Sequence, residues 1–398
     1  MLTNYKHQPN FNLISGIPLE KQGVRQNLAL TYNTKAMTLE DVYNKVVELC
    51  PFKSNKNNFR EDLDIALTKY LSILSELDYN VPDSWNKVID HASSLKESIC
   101  EIVKLLLQGK SHLAYEDLGT ILLKEKLNAQ KESAGHSYYR MRIIDEPRTE
   151  LSSKDLFHVP LNMRSKIQTQ RYSIPGYPCL YIGNSIYACW EEMGRPAMHN
   201  SWFARLENQK SIMLLDLRIP LKDKFLKTPL YYARLFPFII TCMMPIKDYK
   251  AVFKPEYLFP QLILEWVISS RNYDGIYYTS THKDEEFAYP VDKSYNVVIP
   301  VKNPLQVAGF CPNLKKTFYI SEPVNYEIEN LKRPFPDNSG YYSIDPGNIP
   351  NEMLWALDGE IDKSTYSEND LKIVGNYVCS DFGKLEKALL NRPVDVVG

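Results

Sequence analysis

Long apolar runs are missing from this 398-residue sequence. Its most lipid-like segment, Leu235 to Ile246, is only about a dozen residues and carries two prolines, well short of a membrane span. The opening residues, Met1-Leu2-Thr3-Asn4-Tyr5-Lys6, lack the apolar core of a secretion signal, so a cytoplasmic chain with no membrane partner is expected. An excess of either charge is missing too. A formal net charge of −1 removes the electrostatic case for nucleic acid or an anionic membrane. The seven histidines show no metal-ligand spacing, and no CxxC or HExxH occurs, so no metal is expected. Seven cysteines, at positions 50, 100, 179, 189, 242, 311 and 379, are odd in number and widely scattered. That pattern reads as reduced, mostly buried thiols of a cytosol rather than a disulfide framework. No internal repeat or low-complexity tract is present.

What remains is the composition of a soluble globular protein, 44% apolar and 24% charged. The length exceeds one ordinary core and suggests two or three domains. A helix is expected at about 38–50. Asn58 and Glu61 look like a capping box opening a second helix, with Phe59, Leu63, Ala66, Leu67, Tyr70, Leu74 and Leu77 at helical spacing. After a turn at Val81-Pro82-Asp83, Ser84 can cap a long helix striped by Val88, Ala92, Leu95, Ile99 and Val103, stopped by Gly109. A further helix is expected at about 112–126. Residues 1–130 therefore read as a helical region.

From Ser137 the period changes to two, with Tyr139, Met141 and Ile143 on one strand face and Tyr138, Arg140 and Arg142 on the other. Paired guanidiniums on a strand suit a diphosphate, which each can grip in bidentate fashion, although an exposed edge with solvated arginines reads as well. Arg171 then leads through a Pro/Gly turn to the apolar run Cys179 to Gly183, a buried strand. Asn184 or Ser185 can cap the helix that follows, and Gly194 can close it. On that helix Ile186, Cys189, Trp190 and Met193 form the apolar stripe, flanked by Glu191 and Glu192; periodicity does not choose between the two acids. Later strands are expected at 212–217, 275–280 and 295–301, and an apolar-faced helix from Gln261 to Ser269. Residues 220–258 form an aromatic, proline-punctuated insertion with no assignable place. Beyond 311 the chain is polar and turn-rich, with signals at 337–340 and 345–348, a possible helix at 381–391 and no chemical signature.

The stretch from Arg171 to Glu192 resembles the RES domain, whose pattern runs Arg-aromatic, Pro-Gly turn, Leu-Tyr-(Leu/Ile)-Gly-x-Ser, then a helix with Cys-(Phe/Trp)-x-Glu. Tyr139-Arg140 upstream, Pro260-Gln261 and Tyr273-Asp274-Gly275-Ile276-Tyr277-Tyr278-Thr279-Ser280 downstream fit in order. The likeness covers residues 136–310. It implies an α+β fold, a helical N-terminal region followed by an ADP-ribosyltransferase-like mixed sheet at 131–310 with the insertion near 220–258, and a C-terminal extension, 311–398, packing on that domain or contacting a partner.

The resemblance also implies an enzyme that consumes NAD⁺ as substrate, with no further cofactor. Glu192 is the acid it selects over Glu191. Arg140 and Ser280 join Glu192 in the catalytic group, and Arg171, Tyr172, Tyr181 and Arg142 hold the nucleotide. For Ser280 no sequence feature supplies a base, so a hydrogen bond to the ligand or to the glutamate is expected rather than nucleophilic attack. Such a protein is a growth-arresting toxin or defence effector, with an antitoxin or a second protomer as possible partner. Two other readings stay open: an ADP-ribosyltransferase that modifies a macromolecule, and a non-catalytic nucleotide-binding or scaffold protein.

Overall fold

The computed structural model describes residues 37–53, 58–77, 83–125, 127, 129–144, 150–281, 295–302, 307–325, 377 and 380–398. The turn signals at 337–340 and 345–348 and most of the turn at 81–83 lie outside them.

The first helices begin where their caps dictate. In α1 (Leu39–Val47) Thr38 and Asp41 form a reciprocal capping box. In α2 (Phe59–Ser75) Asn58 accepts from the Glu61 N–H at 3.1 Å, one half of the expected box. Helix α3 (Asp83–Leu107) and α4 (Ser111–Glu125) follow. Their stripes do not close on one another alone. The apolar faces of α1–α4 share one continuous core with α6 (Lys222–Lys227), α7 (Pro229–Cys242), α8 (Leu258–Ser269) and one face of a sheet. The described residues accordingly form one compact unit, and among them the largest core cluster spans residue 130. The insertion at 220–258 is the middle of that core: Leu235, Phe236, Phe238, Ile239 and Ile240 are all buried between α2, α3 and the sheet.

Among the described residues the sheet has ten strands. In chain order they are β1 (Ala129–Glu132), β2 (Ser137–Ile143), β3 (Cys179–Gly183), β4 (Ser201–Asn208), β5 (Ile212–Leu217), β6 (Gly275–Thr279), β7 (Tyr295–Pro300), β8 (Phe318–Ser321), β9 (Val324–Asn325) and β10 (Val394–Asp395). They lie in the order β1-β5-β6-β7-β3-β2-β4-β8-β10, with β9 against β4; β5 and β6 are parallel and the other pairs antiparallel. This is an α+β fold with a helical N-terminal region. Alternation distributes side chains between its faces: Cys179, Tyr181, Ile276, Tyr278 and Val298 meet the helical layer, while Leu180, Ile182, Tyr277, Val297 and Ile299 build a second core with Leu156, Phe157 and Leu161.

One seam is weak. β2 and β3 share a single pair, Tyr139 with Gly183, whereas β2 and β4 share seven. The sheet opens at that seam, and α5 (Ile186–Glu192) lies over it. The short helix α9 (Pro312–Thr317) leads into β8. A third core cluster gathers Tyr139, Met141, Ile186, Cys189 and Phe203 with Leu385 and Leu389 of the C-terminal helix α10 (Asp381–Leu390). The expected helix at 381–391 is thus present, and the chain end packs back on the sheet, adding β10 beside β8.

Candidate functional site

The short helix α5 is defined at both ends. Ser185 is its N-cap, its hydroxyl accepting from the Ala188 N–H at 2.9 Å. Asn184, the other candidate, instead bonds Tyr295 of β7 through both its backbone N–H and its Oδ1. Gly194, at φ 79°, closes the helix in the left-handed conformation that glycine adopts without penalty. Close contact with β3 needs a second glycine. A Cβ on Gly183 would stand 2.8 Å from Cys189 Sγ, so its absence lets α5 settle on the strand. The Cys189 thiol donates to the Tyr139 carbonyl, and burial pushes its pKa up to about 12; it is a packed core group.

Geometry separates the two acids. Glu191 is buried and spent on an ion pair: Arg195 reaches its Oε1 through Nε at 2.8 Å and Nη2 at 2.7 Å. Glu192 is half-buried on the sheet side. Its Oε2 accepts from Ser280 Oγ at 2.8 Å and Asn296 Nδ2 at 3.0 Å, whereas Oε1 has no hydrogen-bond partner among the described residues. Charge-assisted bonds of this kind fix a carboxylate and leave one oxygen to act. Ser280, at the end of β6, therefore donates to the acid.

Three tyrosines sense this carboxylate. Burial, followed by the charge of Glu192, pushes the Tyr278 hydroxyl well above its ordinary pKa, and Tyr172 packs behind it at 4.7 Å between ring centroids. Burial also raises Tyr257, opposed by Arg171 and reinforced by Glu192. Tyr181 is raised chiefly by burial, and its hydroxyl is enclosed with Ser173 beside it but outside hydrogen-bond geometry. A buried hydroxyl left unsatisfied costs about 1–3 kcal/mol, so Tyr181 is a place where a ligand's polar group would be welcomed.

The arginines divide. Arg171 Nη1 donates to the carbonyls of Cys242 and Met244 at 2.8 and 2.9 Å, at the negative end of α7, and Nη2 reaches Thr281 Oγ1 at 3.4 Å. Its guanidinium lies 5.4 Å from the Tyr257 ring centroid. Half of this side chain is structural and the other half borders the tyrosines. Arg140 sits at the seam, where its Nη1 donates to the Tyr181 carbonyl at 2.6 Å; β2 and β3 form no ladder pair there. Although the residue keeps some exposed area, its Nε is sealed from solvent without a partner among the described residues, and burial lowers its pKa to about 10. Arg142 is turned elsewhere. More than half exposed, it is drawn to Asp155, donating to the carbonyl at 2.8 Å with the carboxylate at 3.6 Å.

Two residues stand out that the sequence did not single out for a role. Asn296 is a lone polar side chain in the aliphatic run of β7; that interruption was the readable signal. Gln261 of α8 donates through Nε2 to Thr169 Oγ1, the Gln170 carbonyl and the Ser173 carbonyl, which pins the turn carrying Arg171. Cavities of about 780 and 1550 Å³ open elsewhere, beside Phe59 and Phe253 and beside Lys45 and Lys247; neither is lined by Glu192, Ser280 or Arg140.

No protein-family model matches the chain, and no solved structure matches it. A curated relative from Bacillus subtilis (strain 168), named "Putative toxin YopC", is 30% identical over 334 residues, covering 75% of this chain and 74% of its own. Among the described residues no helix is long and apolar enough to cross a membrane. The chain belongs to the same family as YopC.

Proposed function

We propose that this member of a toxin family consumes NAD⁺, cleaving the bond between nicotinamide and ribose with water or phosphate as acceptor. The observation that carries this reading is the Glu192 carboxylate, anchored through Oε2 by Ser280 and Asn296, with Oε1 unengaged among the described residues and Tyr181, Tyr257 and Tyr278 close by. The order of RES-like motifs and the opening of the sheet between β2 and β3 support it, because an ADP-ribosyltransferase-like fold is built on a split sheet.

The chemistry needs little more. The pyridinium nitrogen is already cationic, so when the ribose C1′–N bond breaks its electron pair returns to the ring and nicotinamide leaves neutral, without a general acid. The ribosyl centre becomes oxocarbenium-like, and a fixed carboxylate oxygen stabilises that charge or holds the ribose hydroxyls. Tyrosine faces stack on the cationic ring. A water oxygen then bonds C1′ and sheds its proton to solvent, or a phosphate oxygen bonds C1′ to give ADP-ribose 1″-phosphate. Arg171 and Arg140 are the cations assigned to the diphosphate in this reading; Arg142 is left out because it is exposed and engages Asp155.

A toxin acting on a shared cytoplasmic cofactor needs restraint in the cell that makes it, so an antitoxin or a second copy of the chain is the expected partner. A second reading, transfer of ADP-ribose to a macromolecule, is favoured by one feature: Tyr249, Val252 and Phe253, 63%, 94% and 60% exposed, follow α7 on the approach to Tyr257. Incubation with NAD⁺, with and without phosphate, separates these. Free nicotinamide with ADP-ribose or its 1″-phosphate supports the first reading, label on a macromolecule supports the second, and intact NAD⁺ refutes both.

A further inference from the structure

The C-terminal segment reaches the acid-bearing helix through a buried carboxylate. Glu386 of α10 is 1% exposed, and its Oε1 accepts from the Ile186 N–H, the first of α5, at 2.7 Å. The Tyr377 hydroxyl donates to the same oxygen. The first N–H groups of a helix have no partner within it, and a carboxylate there also meets the positive end of the helix dipole. Alongside, the Phe382 ring packs on Tyr187 and Trp190 of α5 at 5.4 and 5.2 Å between centroids. Arg205 of β4 holds the far end of α10, donating to the Leu389 carbonyl at 3.2 Å and the Arg392 carbonyl at 2.8 Å.

α5 is seven residues long, too short to keep its geometry unaided. Glu386 binds its first residue and Glu192 is its last. We propose that Glu386 is a positioning residue: a buried acid on the C-terminal helix that fixes the start of α5, and through it the alignment of Glu192 with Ser280 and Asn296. The segment from 377 onward is then a working part of the site and not an appendage. This rests on Glu192 being the acting acid, as proposed above. Glu386 borders none of Arg171, Tyr181 or Tyr257, so its loss disturbs the reacting end while nucleotide binding survives. Small misplacements of a catalytic group cost as much as about 10²-fold in rate.

The test compares Glu386→Ala with Glu386→Gln, which keeps an oxygen acceptor for the Ile186 N–H. Three readouts are taken: nicotinamide release, NAD⁺ affinity by calorimetry, and growth arrest when the full chain is induced at matched levels of folded protein. Glu386→Ala should lower kcat roughly 10²-fold with affinity unchanged and lose arrest, and Glu386→Gln should recover most of both. Wild-type kcat and arrest in folded Glu386→Ala would overturn the proposal. So would an equal loss in Glu386→Gln, or a kcat that falls only in step with binding and folded fraction. Should the wild type arrest growth without releasing nicotinamide, the reading of the site fails instead; arrest lost in the alanine variant and restored in the glutamine variant would still support the role of Glu386.

Discussion

At the scale of single residues, hydrogen-bond partners decided what periodicity left open. Glu191 and Glu192 flank the same apolar stripe, and a helical wheel treats them alike. Arg195 takes one, while Ser280 and Asn296 take the other. Those partners come from 4 to 104 positions away, and the long-range ones leave no trace in local spacing. Tyr181 offers a sharp test. Its hydroxyl is buried without a partner among the described residues, so Tyr181→Phe should leave thermal stability unchanged or raise it. If a ligand group satisfies that hydroxyl, the same variant should weaken NAD⁺ binding by up to about tenfold, the worth of one hydrogen bond. Calorimetry with a melting curve on one preparation reads both.

His158 carries a pH prediction. Fully buried, its Nε2 accepts from the Cys311 N–H at 2.8 Å and its Nδ1 donates to the Val159 carbonyl, an arrangement that needs a neutral ring. Burial lowers its pKa from 6.5 to about 4. Between these values the unfolded chain binds a proton that the native state refuses, so stability is intact above pH 6.5 and falls as pH drops towards 4. The loss is at most on the order of 3 kcal/mol. Urea unfolding at pH 7 and 4.5 checks it: His158→Gln should lose less on acidification than the wild type.

At the scale of elements, those with a clear period or cap were legible. α1 and α2 start at their capping residues, β2 and β3 occupy the expected strands, and α10 lies within a residue of its forecast end. α7 was not. It is apolar on nearly every side and has Pro237 inside it, so it shows neither an amphipathic stripe nor an uninterrupted run. Its partners, α2 and α3 on one side and the sheet on the other, are what make it a helix. The contact between α5 and β3 is the element-level feature most open to test. Gly183→Ala would drive a methyl into Cys189 Sγ and lift α5 off the strand, carrying Glu192 from Ser280 and Asn296. Overpacking of this kind costs about 1–3 kcal/mol. Nicotinamide release should fall more than the melting temperature accounts for; an unchanged rate would show that the seat of α5 does not matter.

At the scale of the whole molecule, the largest of the three core clusters joins the N-terminal helices to the sheet across residue 130. The N-terminal helices close their stripes on α7 and α8, and the chain end closes on α5 and β4. The site draws on β2, β3, α5, α8, β6 and β7, with Glu386 arriving from 200 positions beyond the backbone group it binds. Local motif order could point to Glu192, Arg171, Tyr181 and Ser280; it could not show that the C-terminal helix packs on α5, or that Arg142 engages Asp155. The account stands or falls on whether Glu192 helps to part nicotinamide from ribose. Purified wild type and Glu192→Gln, incubated with NAD⁺ labelled in the nicotinamide ring, measure that directly. The wild type should release labelled nicotinamide, and the variant should release it at least about 10²-fold more slowly while still binding NAD⁺. Equal release from both, or none from the folded wild type, would contradict it.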